Sequence, residues 1–233
     1  MLFGLFYFDW TILLVIPAFI FSLWAQFKVQ STYKKYSAHP TSAGISGADA
    51  ARRILDSNGL HHVKIEHIRG ELNDHYDPRT NVIRLSDAVH DSRSAAAIGV
   101  AAHEAGHAVQ YAKGYLPMKF RAFIIPVTRF GSILAIPLFI IGLFMASEYL
   151  MLGGIILYAT VALFQLATLP VEFNASSRAM AALSAWGRFN DGELSAARQV
   201  LTSAALTYVA ALATSLLTLL RLILLSGIGR RRD

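Results

Sequence analysis

Cysteine is absent from the 233 residues. That excludes disulfides, thiolate metal ligands and cysteine-nucleophile chemistry, so any metal must be held by histidine and carboxylate. Charge is scarce as well. Asp, Glu, Lys and Arg make up 15% of the chain, against 55% hydrophobic residues and a mean hydropathy of +0.45. An ordinary soluble domain carries about 25% charged residues. The balance excludes such a domain and fits a membrane protein with a modest polar part. Acidic residues are the scarcer sign, 15 against 21 Lys and Arg. A basic excess can serve nucleic acid, but here the cations flank apolar runs, which reads as contact with anionic lipid. No nucleic-acid partner is expected, and no internal repeat or low-complexity linker breaks the chain.

Long apolar runs are present. Residues 5–27 are almost uninterrupted, with Trp10 and Trp24 near the ends. At about 1.5 Å per residue such a run crosses a hydrocarbon core of about 30 Å. No basic segment precedes it and no small-x-small site follows, so a retained anchor is expected rather than a cleaved signal. A second span begins near Phe123 and carries Pro126 and Pro137, which implies kinks. Ser147 and Glu148 form a minimal link to a third span over residues 149–169, giving a helical hairpin. The last span, residues 205–225, contains Arg221.

The main polar segment, residues 28–119, reads as a small α+β unit. Ser46 and Asp49 form the S-x-x-D pattern of a capping box, and Asn58-Gly59 ends that helix. Residues 63–67 alternate as a strand, 77–81 carry turn chemistry, and 82–85 form a second short strand. Ser92 or Ser94 caps the helix that follows. Later, Asp191 is a plausible cap for a helix entering the last span. The expected division is an anchor at 1–27, the α+β unit at 28–120, a transmembrane hairpin at 121–170, a helical segment at 171–204, and a last span with a basic tail at 205–233.

The chemistry concentrates in Ala102-His103-Glu104-Ala105-Gly106-His107-Ala108. Residues four apart share one helix face. His103 and His107 can therefore offer two imidazoles to one tetrahedral Zn²⁺, with Glu104 beside them as a base for its water. The alternative is a surface helix with two solvated histidines. The many alanines would let the helix pack closely against another. Zinc in catalytic sites takes three protein ligands. A histidine six residues after the second is excluded, because that position is Lys113. Glu172, where the third span ends and a polar helix is expected to start, is the leading candidate; the alternative is an interfacial carboxylate paired with Arg178. The remaining histidines, including His61, His62, His67 and His39, lack a partner at ligand spacing.

His-Glu-Ala-Gly-His-Ala and Pro-Val-Glu-Phe-Asn-Ala-Ser-Ser-Arg-Ala together resemble the "putative neutral zinc metallopeptidase" family of bacterial membrane proteins, the YugP-like family. Residues 72–78, 84–86 and 204–210 resemble it too, so the likeness covers nearly the whole chain. Less closely, the site resembles HtpX-like and prenyl-protein endopeptidases, which pair His-Glu-x-x-His with Glu-Phe-x-Ala-Asp; here Ser176 stands where their Asp would be. The resemblance implies an α-helical integral membrane protein with a small α+β zincin-like metallopeptidase unit and about four transmembrane helices. It implies Zn²⁺ as cofactor and hydrolysis of peptides or membrane-protein substrates, in the manner of gluzincins, beside the lipid bilayer. Glu104 would be the general base. His75, Tyr76 and Arg178 are candidates to stabilise the oxyanion, and residues 73–85 could bind substrate backbone as a strand edge.

Lys28, Lys34, Lys35, Lys119, Arg121, Arg129 and Arg178 lie near span ends on the side of the site, which the positive-inside rule assigns to the cytoplasm. Arg230, Arg231 and Arg232 dissent, since a fourth full crossing would carry them to the other side. Two rival functions remain: cleavage inside the bilayer, disfavoured by the polarity of residues 86–119, and a non-catalytic zinc scaffold, disfavoured by Glu104. Oligomeric state is not legible.

Overall fold

The computed structural model describes residues 10–227. A 3-10 turn at Trp10–Leu14 precedes α1 (Ile16–Ser37) and α2 (Gly47–Ser57). Strands β1 (Lys64–Ile68), β2 (His75–Asp77) and β3 (Val82–Ser86) follow. Then come α3 (Ala95–Ala112), α4 (Leu116–Phe144), α5 (Glu148–Trp186) and α6 (Asp191–Ser226). Among the described residues four helical stretches are long and apolar enough to cross a membrane: Trp10–Ser37, Leu116–Phe144, Glu148–Trp186 and Asp191–Ser226. The expected class, helical and membrane-spanning with a small α+β part, is the one observed. Residues 5–9 of the expected first span and the tail Arg230–Arg232 lie outside the described residues.

Two compact units form, each from separated segments. One comprises the chain up to Trp24, Arg121–Leu166 and the chain from Tyr208. In it α4 and α5 approach through small residues. A Cβ on Gly131 would lie 2.6 Å from the Leu157 carbonyl, and one on Gly154 would lie 2.8 Å from that of Ala135. Without a hydrophobic driving force between helices in lipid, such close backbone contact supplies the packing. Phe139, Met151, Ile155 and Leu222 fill its interior. Large side chains such as Phe123, Phe130, Ile133 and Phe144 point outward, a surface that lipid covers and water would not tolerate.

The other unit comprises Ala25–Phe120 and Ala167–Thr207. The capping box of α2 is as expected: Ser46 accepts from the Asp49 amide while the Asp49 carboxylate accepts from the Ser46 amide. The sheet runs in the order β1-β3-β2, with β1 parallel and β2 antiparallel to the central β3. β3 is buried at Val82, Ile83, Leu85 and Ser86. The partly buried carboxylate of Asp74 accepts the Ser86 amide and hydroxyl, at 2.7 and 3.1 Å, and ties the loop before β2 to β3. Helix α3 is capped by Ser94, whose hydroxyl accepts the Ala97 amide. The chain leaves α3 through Gly114 at φ +64°, a conformation glycine adopts without steric cost. Nearly all of α3 is buried, in a core with Leu55, Ile83, Leu85, Val89 and Leu183.

β2 lies within residues 73–85, read as a possible strand edge but given no strand of its own before residue 82; its one buried side chain, Tyr76, is too short a pattern to show alternation. Two expectations need correction. The helix beginning at Asp191 is capped by Asn190, not by Asp191: Asn190 accepts the Glu193 amide and Glu193 accepts the Asn190 amide, each at 2.9 Å. No new helix starts after the third span. α5 runs unbroken from Glu148 to Trp186 with Pro170 inside it. Proline removes one amide donor but its fixed φ is helical, and α6 likewise joins two expected segments into one helix.

The close packing expected of α3 is made at its two glycines. A Cβ added to Gly106 would sit 2.6 Å from the Ala175 carbonyl of α5, and one on Gly99 would sit 3.3 Å from Ala197 Cβ of α6. Gly106→Ala therefore forces α3 and α5 apart. Overpacking of this kind costs about 1–3 kcal/mol. The expected result is a lowered thermal midpoint for the detergent-purified variant; an unchanged midpoint would contradict this contact.

Candidate metal centre

His103 and His107 lie one turn apart on α3, and α5 brings Glu172 against both. Glu172 Oε2 is 3.2 Å from His103 Nε2 and 3.5 Å from His107 Nε2. The two imidazoles meet edge to face, with centroids 4.6 Å apart. One donor atom from each of the three residues lies within 4.8 Å of the others. Zinc bonds of about 2.0–2.2 Å imply tetrahedron edges of about 3.3–3.6 Å. The two carboxylate–imidazole spacings, 3.2 and 3.5 Å, are close to those edges.

The hydrogen bonds behind His107 fix which of its nitrogens faces Glu172. Gln110 is completely buried. Its amide nitrogen donates to the Val171 carbonyl at 2.8 Å and to Asn174 Oδ1 at 3.0 Å. A carbonyl cannot donate, so the Gln110 amide cannot be turned round. Its oxygen therefore faces His107 Nδ1, at 3.0 Å, and accepts that N–H. In the neutral ring Nε2 is then a lone pair. Nε2 at 3.5 Å from the buried Glu172 carboxylate then holds either a proton or a metal ion. The donor set and its surroundings fit a divalent metal. Burial opposes a charged His107, but the Glu172 hydrogen bond, with the charges of Glu104 and Glu172, outweighs it and pushes the imidazole's basicity up. On the other ring, His103 Nδ1 pairs with the Ser176 hydroxyl at 3.0 Å. The Ser176 hydroxyl thus contacts the imidazole directly.

Glu104 follows His103 on α3 and is 8% exposed. None of the described residues hydrogen-bonds its carboxylate. The other candidates lie differently. His75 is exposed on β2, its Nδ1 against the Asn73 carbonyl at 2.9 Å. Tyr76 is buried and its hydroxyl donates to Asn81 at 3.0 Å. Arg178 Nε donates to Asn174 Oδ1 at 2.7 Å, which links it through Gln110 to His107. Gln110 and Asn174 were not singled out from the sequence. The available signal was a glutamine three residues after His107, on the same face of an otherwise alanine-rich helix. A groove of about 500 Å³ runs along α5 and α6 from Ser176, with Phe173, Met180 and Leu201 on its walls and Arg198 at its edge.

Over residues 11–227 the chain matches the family described as "putative neutral zinc metallopeptidase". It is 48% identical over 219 residues to the "Putative membrane protease YugP" of Bacillus subtilis (strain 168), covering 94% of this chain and 97% of that protein. No solved structure matches it.

Gln110→Leu keeps the volume but removes the acceptor for His107 Nδ1 and the donors to Val171 and Asn174. Loss of such a supporting partner typically costs about 10–100-fold in metal affinity. Competition against a chromophoric chelator should show zinc affinity falling by that factor. Wild-type affinity in the folded variant would contradict the role given to Gln110.

Proposed function

The chain belongs to the "putative neutral zinc metallopeptidase" family, and on that premise we propose that it is a membrane-anchored, zinc-dependent endopeptidase that cleaves peptide bonds at the membrane surface. The observation that carries this reading is the convergence of His103, His107 and Glu172 on one point, with Glu104 on the same helix beside them. Zinc, when bound, supplies Lewis-acid polarisation of the scissile carbonyl and lowers the pKa of water toward about 7. His103, His107 and Glu172 hold it. Glu104 takes the proton of the attacking water and passes it to the leaving amine. Its carboxylate has no partner among the described residues to compete for that proton.

His75, Tyr76 and Arg178 are the candidates for stabilising the oxyanion. What supports His75 is its exposure, whereas the Tyr76 hydroxyl and the Arg178 Nε are already engaged. β2 is an edge strand that packs against α3, a suitable rail for an extended substrate backbone. The walls of the groove at Ser176 suit an apolar substrate side chain. A zinc scaffold without catalysis leaves unexplained why a carboxylate with no hydrogen-bond partner is kept buried next to the donors. Cleavage inside the bilayer is disfavoured because α3 is not among the four candidate spans. The cationic residues near the span ends support a cytoplasmic site.

Glu104→Gln removes the base and no ligand. The purified variant should retain zinc and lose hydrolysis of a casein-type substrate by at least about 10²-fold. Full activity, or loss of zinc from the folded variant, would overturn the assignment. Topology gives an independent check: a reporter inserted at Ser147 should be accessible from the face opposite one inserted at Gly59. Accessibility of both from one face would break the proposed arrangement.

A further inference from the structure

A second group of metal-binding side chains lies in the same unit, separate from the first. His67 is on β1. Asp87, His90 and Asp91 are in the turn that follows β3. The His67 and His90 rings stack, with centroids 4.8 Å apart and planes 18° from parallel. One donor atom from each of His67, His90 and Asp91 lies within 4.8 Å of the others. We propose that His67, His90 and Asp91 form a second site for a divalent transition-metal ion, with Zn²⁺ as its probe.

Each imidazole already has a carboxylate on one nitrogen. His67 Nε2 is 2.7 Å from Asp87 Oδ1, and His90 Nδ1 is 2.7 Å from Asp91 Oδ1. His67 thus keeps Nδ1 for the ion, while at His90 the ion would take the proton's place between Nδ1 and Asp91 Oδ1. At His67 the carboxylate on Nε2 fixes the ring, as in carboxylate-histidine-metal arrangements. Asp87 is fixed in turn, since its second oxygen accepts the Gly70 amide at 2.9 Å. The backbone under His90 is held at both ends: its amide donates to the Ser86 carbonyl and its carbonyl accepts the Ala48 amide. Ser86 is itself held by Asp74. The scaffold is therefore built, while the donor side chains retain room to move. His67 and Asp91 side chains are 45% and 78% exposed, and His90 is 23% exposed. Tetrahedral coordination needs donor separations of about 3.3 Å, inside the 4.8 Å that bounds the three donors here.

Two imidazoles select the ion class. Nitrogen donors suit Zn²⁺, Ni²⁺ and Cu²⁺, whereas Ca²⁺ and Mg²⁺ take oxygen. Exposure makes this the weaker of the two centres. An ion here would join β1 to the connection that ends at Ser94, the cap of α3. It would clip together the segment from which the His103-bearing helix starts. Neither the family nor the mechanism above calls for this ion, so the inference stands or falls independently of the peptidase reading.

The test counts bound zinc on full-length protein in detergent, stripped with chelator and equilibrated at a fixed micromolar free zinc concentration. The wild type should bind two equivalents. The pair His67→Ala and His90→Ala should bind one. The pair His103→Ala and His107→Ala should also bind one, and all four changes together should leave none. In the His103→Ala, His107→Ala background, zinc should still raise the thermal midpoint, and adding His67→Ala should abolish that shift. Asp91→Asn, a change at an exposed turn, covers the case in which the double histidine variant aggregates; it should lose the weaker equivalent alone. Equal zinc binding by wild type and by folded His67→Ala, His90→Ala or Asp91→Asn protein would overturn the proposal.

Discussion

The site depends on the close approach of α3 to α5, made possible by the hydrogen of Gly106. A metal with bonds of about 2 Å cannot bridge helices at ordinary separations of 8–10 Å unless long side chains reach inward from both. At Gly106 the α3 backbone lies against the Ala175 carbonyl of α5. His107 is the next residue along α3, and Glu172 is three residues before Ala175 on α5. The contact thus sets the spacing between imidazoles and carboxylate. The buried alanines of α3, Ala101, Ala102, Ala105 and Ala108, extend the same closeness along the helix.

Closeness alone would be unfavourable. It buries a carboxylate with two imidazoles, and an uncompensated buried charge costs several kcal/mol. The surrounding polar groups show how the unit accommodates it. Gln110 has acceptors for its amide nitrogen in Val171 and Asn174, so its oxygen is committed to His107. Asn174 is held in turn by Arg178. The result is a hydrogen-bond chain that fixes His107 with Nε2 toward Glu172. A supporting chain of this kind behind an imidazole is the arrangement that orients metal ligands.

Much of this was legible in the sequence because the signals were local. Histidines four apart on a helix, a capping box at Ser46 and apolar runs of span length each follow from periodicity or short-range chemistry. Glu172 was reachable because cysteine is absent and Lys113 occupies the nearer alternative. What escaped depended on long-range partners. β2 is three residues long and owes its existence to pairing with β3, not to its own pattern. The continuity of α5 through Pro170 runs against local propensity. Gln110 is an unremarkable residue until Val171 and Asn174 stand opposite it, and the stacked His67 and His90 come from elements 23 residues apart in sequence.

The central claim is that His103, His107 and Glu172 bind one zinc ion between α3 and α5. Anomalous diffraction at the zinc edge, from crystals of zinc-loaded full-length protein, tests it most directly. The account predicts a peak about 2.0–2.2 Å from an imidazole nitrogen of each histidine and from a Glu172 carboxylate oxygen. A zinc-loaded crystal with no peak among these three residues, or with a peak that leaves Glu172 uncoordinated, would contradict it.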